Sequence, residues 1–344
     1  MQVFVFLFVA FSLFAMGALF SPDFYLFELW RSFPLIFWLH IFLIIVSCCG
    51  LFFFSRRNEK NSSFSFRLLL WMVALCNLFL AYWLVVVDFY EETAFVDENN
   101  VKVFYANMYI HNDQLDSFLQ IKEEKADIVV LVEYGIDAHD RFKDYFQSNY
   151  AYVNRLSWDI GQDGTLIASR FPLKDVTVYE KPYVDMLDYV VSLPEKQMLL
   201  SALHTSSPIL YGHFRRRNQH LSSILKRITK LQRNYSELDH IVLDFNVSPR
   251  SSFYDRFVEA HSLSSSSSTD LHGSTMSSLF SNITRKIKHI TWCLDEDSRF
   301  VCSHIDHIFV REQSEGFAVD DLKVFDALGS DHDAYVFSIS DTSA

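Results

Sequence analysis

The chain has 344 residues, with 30 basic and 42 acidic side chains and a formal charge of −12. That length suits one large domain or two smaller ones. The acidity argues against tight, sequence-independent DNA binding, which needs clustered Lys and Arg to displace counterions.

In chain order, the first elements are apolar. Residues 1–20, 34–54 and 68–87 carry no Asp, Glu, Lys or Arg, and each has about the 20 residues that a helix needs to cross a bilayer. A cleaved signal peptide is the rival reading for the first, but the run lacks a basic n-region and a small-residue cleavage site. Three transmembrane helices are therefore expected. The loop after the second holds Arg56, Arg57, Lys60 and Arg67 against Glu59, whereas the stretch DFYEETAFVDENN after the third is strongly acidic. The positive-inside rule puts the basic loop and the N-terminus in the cytoplasm. With three crossings, everything after Val87 then lies on the non-cytoplasmic side, making this a multi-pass protein of the cell membrane with the bilayer as a partner.

Residues 88–100 read as an acidic linker and 101–340 as one soluble domain. Its pattern alternates strands and helices: VKVFYANMY as a strand, DQLDSFLQIKEEKA as a helix, DIVVLVE as a strand. A helix over 137–148 follows, then strands at GTLIASR and QMLLSALH and a basic helix from Arg215 to Arg233. HIVLDF, a short helix from Ser251, and strands at HITWC, SHIDHIFV and AYVFSIS complete the set. This predicts an α/β domain with a mixed sheet. The serine-rich stretch 261–280 is too polar to bury and reads as a mobile surface loop.

Several strands end in polar residues. Asn107 closes FYAN, Glu133 closes VVLVE and His204 closes LLSALH. Asp244 and Asn246 follow HIVL; residues i and i+2 of a strand point the same way, so an anion and an amide project together. Asp306 stands in SHIDHIFV, and Asp331 and His332 in GSDHDAYVF. Singly, each has an ordinary explanation as a cap, a surface charge or a satisfied core histidine. Jointly they matter, because ligands gather beyond strand ends in α/β sheets.

The ordered set AN (106–107), VE (132–133), GTLIASRFPL (164–173), LH (203–204), RNQHL (217–221), LDFNVSP (243–249), TW (291–292), IDHIFV (305–310) and SDH (330–332) resembles the endonuclease/exonuclease/phosphatase superfamily, of DNase I-like type. The resemblance runs through essentially all of 101–340 and is nearest to the membrane-anchored bacterial members. It implies a two-sheet α/β sandwich and cleavage of phosphate esters with Mg²⁺ (or Mn²⁺). Glu133 would be the principal metal ligand, with Asn107 and Asp331 completing or supporting the site. Asp244 would orient or deprotonate the attacking water and Asn246 would hold a phosphate oxygen. His332, steadied by Asp306, and His204 would flank the phosphorus. The chain departs from the family's pattern at Val132, where Gln is common, at Leu243, where Gly is common, and at Asp333, where an apolar residue is common.

The expected function is a membrane-tethered phosphodiesterase acting on nucleic acid, a phospholipid head group or a small phosphate ester; no protein partner is indicated. The alternative is a binding module that keeps the fold without catalysis, against which the complete polar set speaks. Cys48, Cys49 and Cys76 fall in the apolar runs. Cys293 and Cys302 flank the polar LDEDSRFV, which turns the chain back and predicts a cross-strand disulfide in an oxidising compartment.

Overall fold

The computed structural model describes residues 10, 26, 100–109, 117–154, 164–181, 184–205, 210–243, 253–254, 256–257, 268–270, 292–293, 302–303, 306–311, 317–326, 330 and 332–341. The three apolar runs expected to span a membrane lie outside them, save the single residue Ala10. No helix among the described residues is long and apolar enough to cross a membrane.

Two six-stranded sheets face each other. The first runs in the order 317–326, 333–341, 101–107, 128–132, 166–169, 152–153, and the second in the order 173–181, 184–192, 197–205, 239–243, 308–311, 268–270. The first holds β1 (Val101–Asn107), β2 (Ile128–Val132), β3 (Tyr152–Val153), β4 (Leu166–Ser169), β13 (Phe317–Asp326) and β14 (Asp333–Asp341). The second holds β5 (Leu173–Lys181), β6 (Val184–Ser192), β7 (Gln197–Thr205), β8 (Asp239–Leu243), β9 (Ser268–Asp270) and β12 (Ile308–Arg311). A small ribbon pairs β10 (Trp292–Cys293) with β11 (Cys302–Ser303). Each sheet has one parallel pair, β1 with β2 and β7 with β8; the other pairs are antiparallel. Parallel neighbours need a crossover. The helices α1 (Ser117–Glu124) and α3 (Tyr211–Asn234) supply one each, while α2 (Ile136–Asn149) follows β2.

Side-chain alternation builds the layers. In β1, Val103 and Tyr105 enter the core between the sheets, and Phe104 and Ala106 join the layer under α1 and α2. In β7, Met198, Leu200 and Ala202 face inward while Leu199 and Leu203 meet α3. The helix α3 buries Phe214, Leu221, Ile224, Ile228 and Leu231, at spacings of three, four and seven that keep one apolar face. Burying a large aliphatic side chain of this kind is worth about 1.5–3 kcal/mol.

The structure bears out the α/β class and the mixed sheets. The helix expected over 137–148 is α2, and the basic helix begins four residues earlier than expected. Four differences from the expected elements stand out. The strand β6 escapes an alternation test because Asp188 interrupts its apolar run. That carboxylate is fully buried yet satisfied, accepting from Ser201 Oγ at 2.6 Å, Thr177 Oγ1 at 2.8 Å and Arg227 Nε at 2.8 Å. Its edge partner β5 and the edge strand β13 are charged and carry bulges, as exposed edges commonly do. Within the serine-rich stretch expected to be a loop, Ser268–Asp270 pairs with Phe309–Arg311 as the outermost strand. The strand expected over SHIDHIFV is two pieces, Cys302–Ser303 and Ile308–Arg311, with Asp306 and His307 outside both.

Candidate active site

Polar side chains collect where strands from both sheets end. Asn107 continues the inward parity of Val103 and Tyr105 on β1, and His204 that of Leu200 and Ala202 on β7. Glu133 follows Val132 directly at the end of β2. Its φ is 49°, a left-handed conformation that costs a non-glycine residue about 1–2 kcal/mol and that clusters at functional sites. The backbone is braced on either side: Met108 N donates to Val132 O at 2.9 Å and Tyr134 N to Gly164 O at 2.9 Å.

The Glu133 side chain is held by two neighbours, both on Oε1. Asn107 Nδ2 donates to it at 3.1 Å, and His204 Nε2 lies 3.0 Å away. The Asn107 amide cannot turn over without loss, since its Oδ1 accepts from Tyr109 N at 3.1 Å. Burial alone would raise the Glu133 pKa. The His204 hydrogen bond and charge, the His332 charge and the Asn107 amide outweigh it, and the carboxyl is held down to about 2 from an ordinary 4.5. The carboxylate keeps 18% side-chain exposure, so it is ionised and reachable.

A second pair stands beside the first. His332 Nδ1 lies 2.7 Å from Asp306 Oδ2, and both residues are buried. Ser330 ties this pair to the first strand: its Oγ donates to Asn107 O at 2.7 Å and accepts from His332 N at 3.1 Å. His307, next to Asp306, instead packs among Tyr254 and Phe309 as a core ring.

Asn107, Glu133, His204, Asp306 and His332 thus converge as two hydrogen-bonded groups. Asp244, Asn246 and Asp331 lie outside the described residues. The strand β8 ends at Leu243, whose register partner is Ala202, two residues before His204. Sequence reasoning missed Ser330 as a tie and the left-handed Glu133; a serine before Asp-His gives no sign of its target, and Glu has no preference for that conformation.

Among the described residues no cluster of three or more His, Cys, Asp or Glu is placed to hold a metal. One ionised carboxylate with an amide beside it still fits Mg²⁺, which commonly takes one or two carboxylates and keeps several waters. It does not fit a tetrahedral zinc cage.

A profile of the Endonuclease/Exonuclease/phosphatase family matches residues 115–332. No curated protein sequence matches the chain. Among solved structures, the chain is similar to a Neisseria 3′ phosphatase, NExo, bound to product DNA hairpin, with TM-score 0.53 and 16% identity over 70% of this chain and 99% of that one. It is also similar to the human Nocturnin catalytic domain, with TM-score 0.51 and 15% identity over 75% and 99%. D. rerio TDP2 complexed with single strand DNA product gives TM-score 0.50 and 13% identity over 70% and 99%. These likenesses establish a two-sheet sandwich of DNase I-like type.

Proposed function

Because the chain belongs to the endonuclease/exonuclease/phosphatase family and is accordingly a phosphoester hydrolase, we propose that it is a membrane-tethered, Mg²⁺-dependent (or Mn²⁺-dependent) phosphodiesterase. The observation that carries this reading is the pairing of an ionised Glu133 with His204 and Asn107 next to the buried Asp306–His332 pair. Glu133 is the residue to hold the cation, with Asn107 supporting it and Asp331 completing the set. When bound, the cation neutralises charge on a phosphoryl oxygen, which an anionic diester needs before a nucleophile can approach.

The protein's own groups do the rest. Asp306 accepts from His332 Nδ1–H, which fixes the tautomer and makes Nε2 the proton-transferring nitrogen. His204 donates to Glu133 here, and it turns that N–H to a non-bridging phosphoryl oxygen as charge develops there. Asp244 orients or deprotonates the attacking water, and Asn246 holds a phosphate oxygen. The substrate is a nucleic acid, a phospholipid head group or a small phosphate ester. DNA products bound to the Neisseria and D. rerio relatives support including DNA ends among the candidates. The apolar runs before residue 88 support tethering, and their flanking charges support a catalytic domain on the non-cytoplasmic side.

The test is a panel of DNA, phospholipids and small diesters assayed with Mg²⁺, with Mn²⁺ and with chelator, using His332→Ala as the control. Cleavage that needs the cation and is lost in His332→Ala is expected. Cleavage that persists in chelator would overturn the metal assignment.

A further inference from the structure

The helix α3 contains no Asp or Glu in 24 residues, in a chain of net charge −12. Its apolar face is spent on the second sheet, and two of its cations are used internally. Arg217 is buried, stacked over the Phe214 and Phe253 rings, and Arg227 pairs with Asp188. The exposed remainder is ordered. Five cations of α3 are exposed, Arg215, Arg216, Lys226, Lys230 and Arg233; with 100° per residue Arg216 turns aside, and Arg215, Lys226, Lys230 and Arg233 fall within about 60° of one another around the helix. They form a straight stripe about 27 Å long. None of the four makes an ion pair among the described residues. At the end nearest β7, Leu210 and Tyr211 are each 59% exposed.

We propose that this stripe is a docking surface for an anionic lipid bilayer, with Leu210 and Tyr211 entering the headgroup layer at one end. Basic residues aligned on an amphipathic helix are attracted to acidic headgroups within a Debye length, and an exposed aromatic-aliphatic pair suits the interface. A single-stranded nucleic acid is the rival polyanion. It requires aromatic platforms between the cations, but the stripe's intervening positions are Gln219 and Ser222. The lipid surface is favoured on that ground.

The inference rests on the reading that residues 1–87 tether the chain to a membrane. A linker of residues 88–100 spans at most about 45 Å when extended, so the domain stays within reach of the bilayer. Tethering raises the local concentration, so a weak contact is enough. Because α3 starts six residues after Thr205, Leu210 and Tyr211 mark the end of the stripe nearer in sequence to His204.

The experiment uses the full chain reconstituted into vesicles of phosphatidylcholine alone or mixed with phosphatidylglycerol. Lysine acylation rates are read peptide by peptide by mass spectrometry. Lys143 on α2, with 43% side-chain exposure, serves as the internal reference on the opposite layer. The expected result is a several-fold slowing at Lys226 and Lys230 in the acidic vesicles, none at Lys143, and loss of the effect at high salt. Equal rates in both vesicles, with the chain floating in both, overturn the docking surface. Protection in neutral vesicles by an added single-stranded oligonucleotide, without protection by phosphatidylglycerol, overturns it in favour of nucleic acid. A chain that floats only with acidic vesicles supports docking while overturning the tether.

Discussion

Asp306 Oδ2 stands 2.7 Å from His332 Nδ1, joining the segment ahead of β12 in one sheet to the residue ahead of β14 in the other. An amide in place of that carboxylate either turns its NH2 to Nδ1 and forces the other tautomer, or offers a neutral oxygen that no longer stabilises a protonated ring. Asp306→Asn is therefore expected to lower turnover by about 10²–10⁴-fold with little change in KM. His332→Ala should lose at least as much. Steady-state kinetics with circular dichroism as a folding control check this; wild-type turnover in Asp306→Asn would remove the pair from the mechanism.

Glu133→Gln keeps the shape of the side chain but removes its charge. Expected outcomes are loss of the response to Mg²⁺ and a collapse of activity, with the fold retained. Isothermal titration of Mg²⁺ into both proteins separates the two effects. Unaltered binding in the variant would move the metal elsewhere.

Acid stability offers a second reading of the same residue. The folded-state pKa of Glu133 is about 2 against an ordinary 4.5. A depressed carboxyl pKa contributes stability that is fully present above the unfolded value and is lost as pH falls through the folded one. In chelator, the advantage of wild type over Glu133→Gln should be at most about 3 kcal/mol near pH 5 and should vanish toward pH 2. Urea denaturation across that interval measures it. An advantage that grows on acidification would contradict the sign.

How much of this was legible beforehand depended on locality. Asn107, Glu133 and His204 announce themselves because each closes an apolar run, a feature confined to a few adjacent residues. Their pairing does not, since His204 reaches Glu133 across 71 residues only after two sheets dock. The strand β6 was missed because Asp188 looks like a surface charge until Ser201 and Arg227 are seen to satisfy it. The left-handed backbone at Glu133 had no Gly or Asn to mark it. Asp244, Asn246 and Asp331 lie outside the described residues.

Cys293 and Cys302 are register partners in the antiparallel β10–β11 ribbon. If the domain is exported as proposed, a disulfide between them is expected, bracing the chain four residues before Asp306 and contributing about 2–3 kcal/mol. Digestion without reductant should yield a linked peptide pair, lighter by two hydrogens than the free thiols. Two alkylatable thiols would sink the bridge and weaken the case for an oxidising compartment.

Topology is checked independently. A reporter active only outside the cytoplasm should work when fused after Ala344 and stay silent within 56–66. The reverse pattern would place the catalytic domain inside.

The strand β14 is last in sequence yet interior in its sheet, hydrogen-bonded to β13 on one side and β1 on the other. His332 immediately precedes it, while Asn107 and Glu133 stand at the ends of strands formed about two hundred residues earlier. A ribosome-bound or nicked chain lacking this segment therefore has a gap beside β1 and no Asp306–His332 couple. If the Asp306–His332 couple carries the proposed chemistry, a copy without β14 is expected to be silent towards phosphate esters even where the earlier strands have formed.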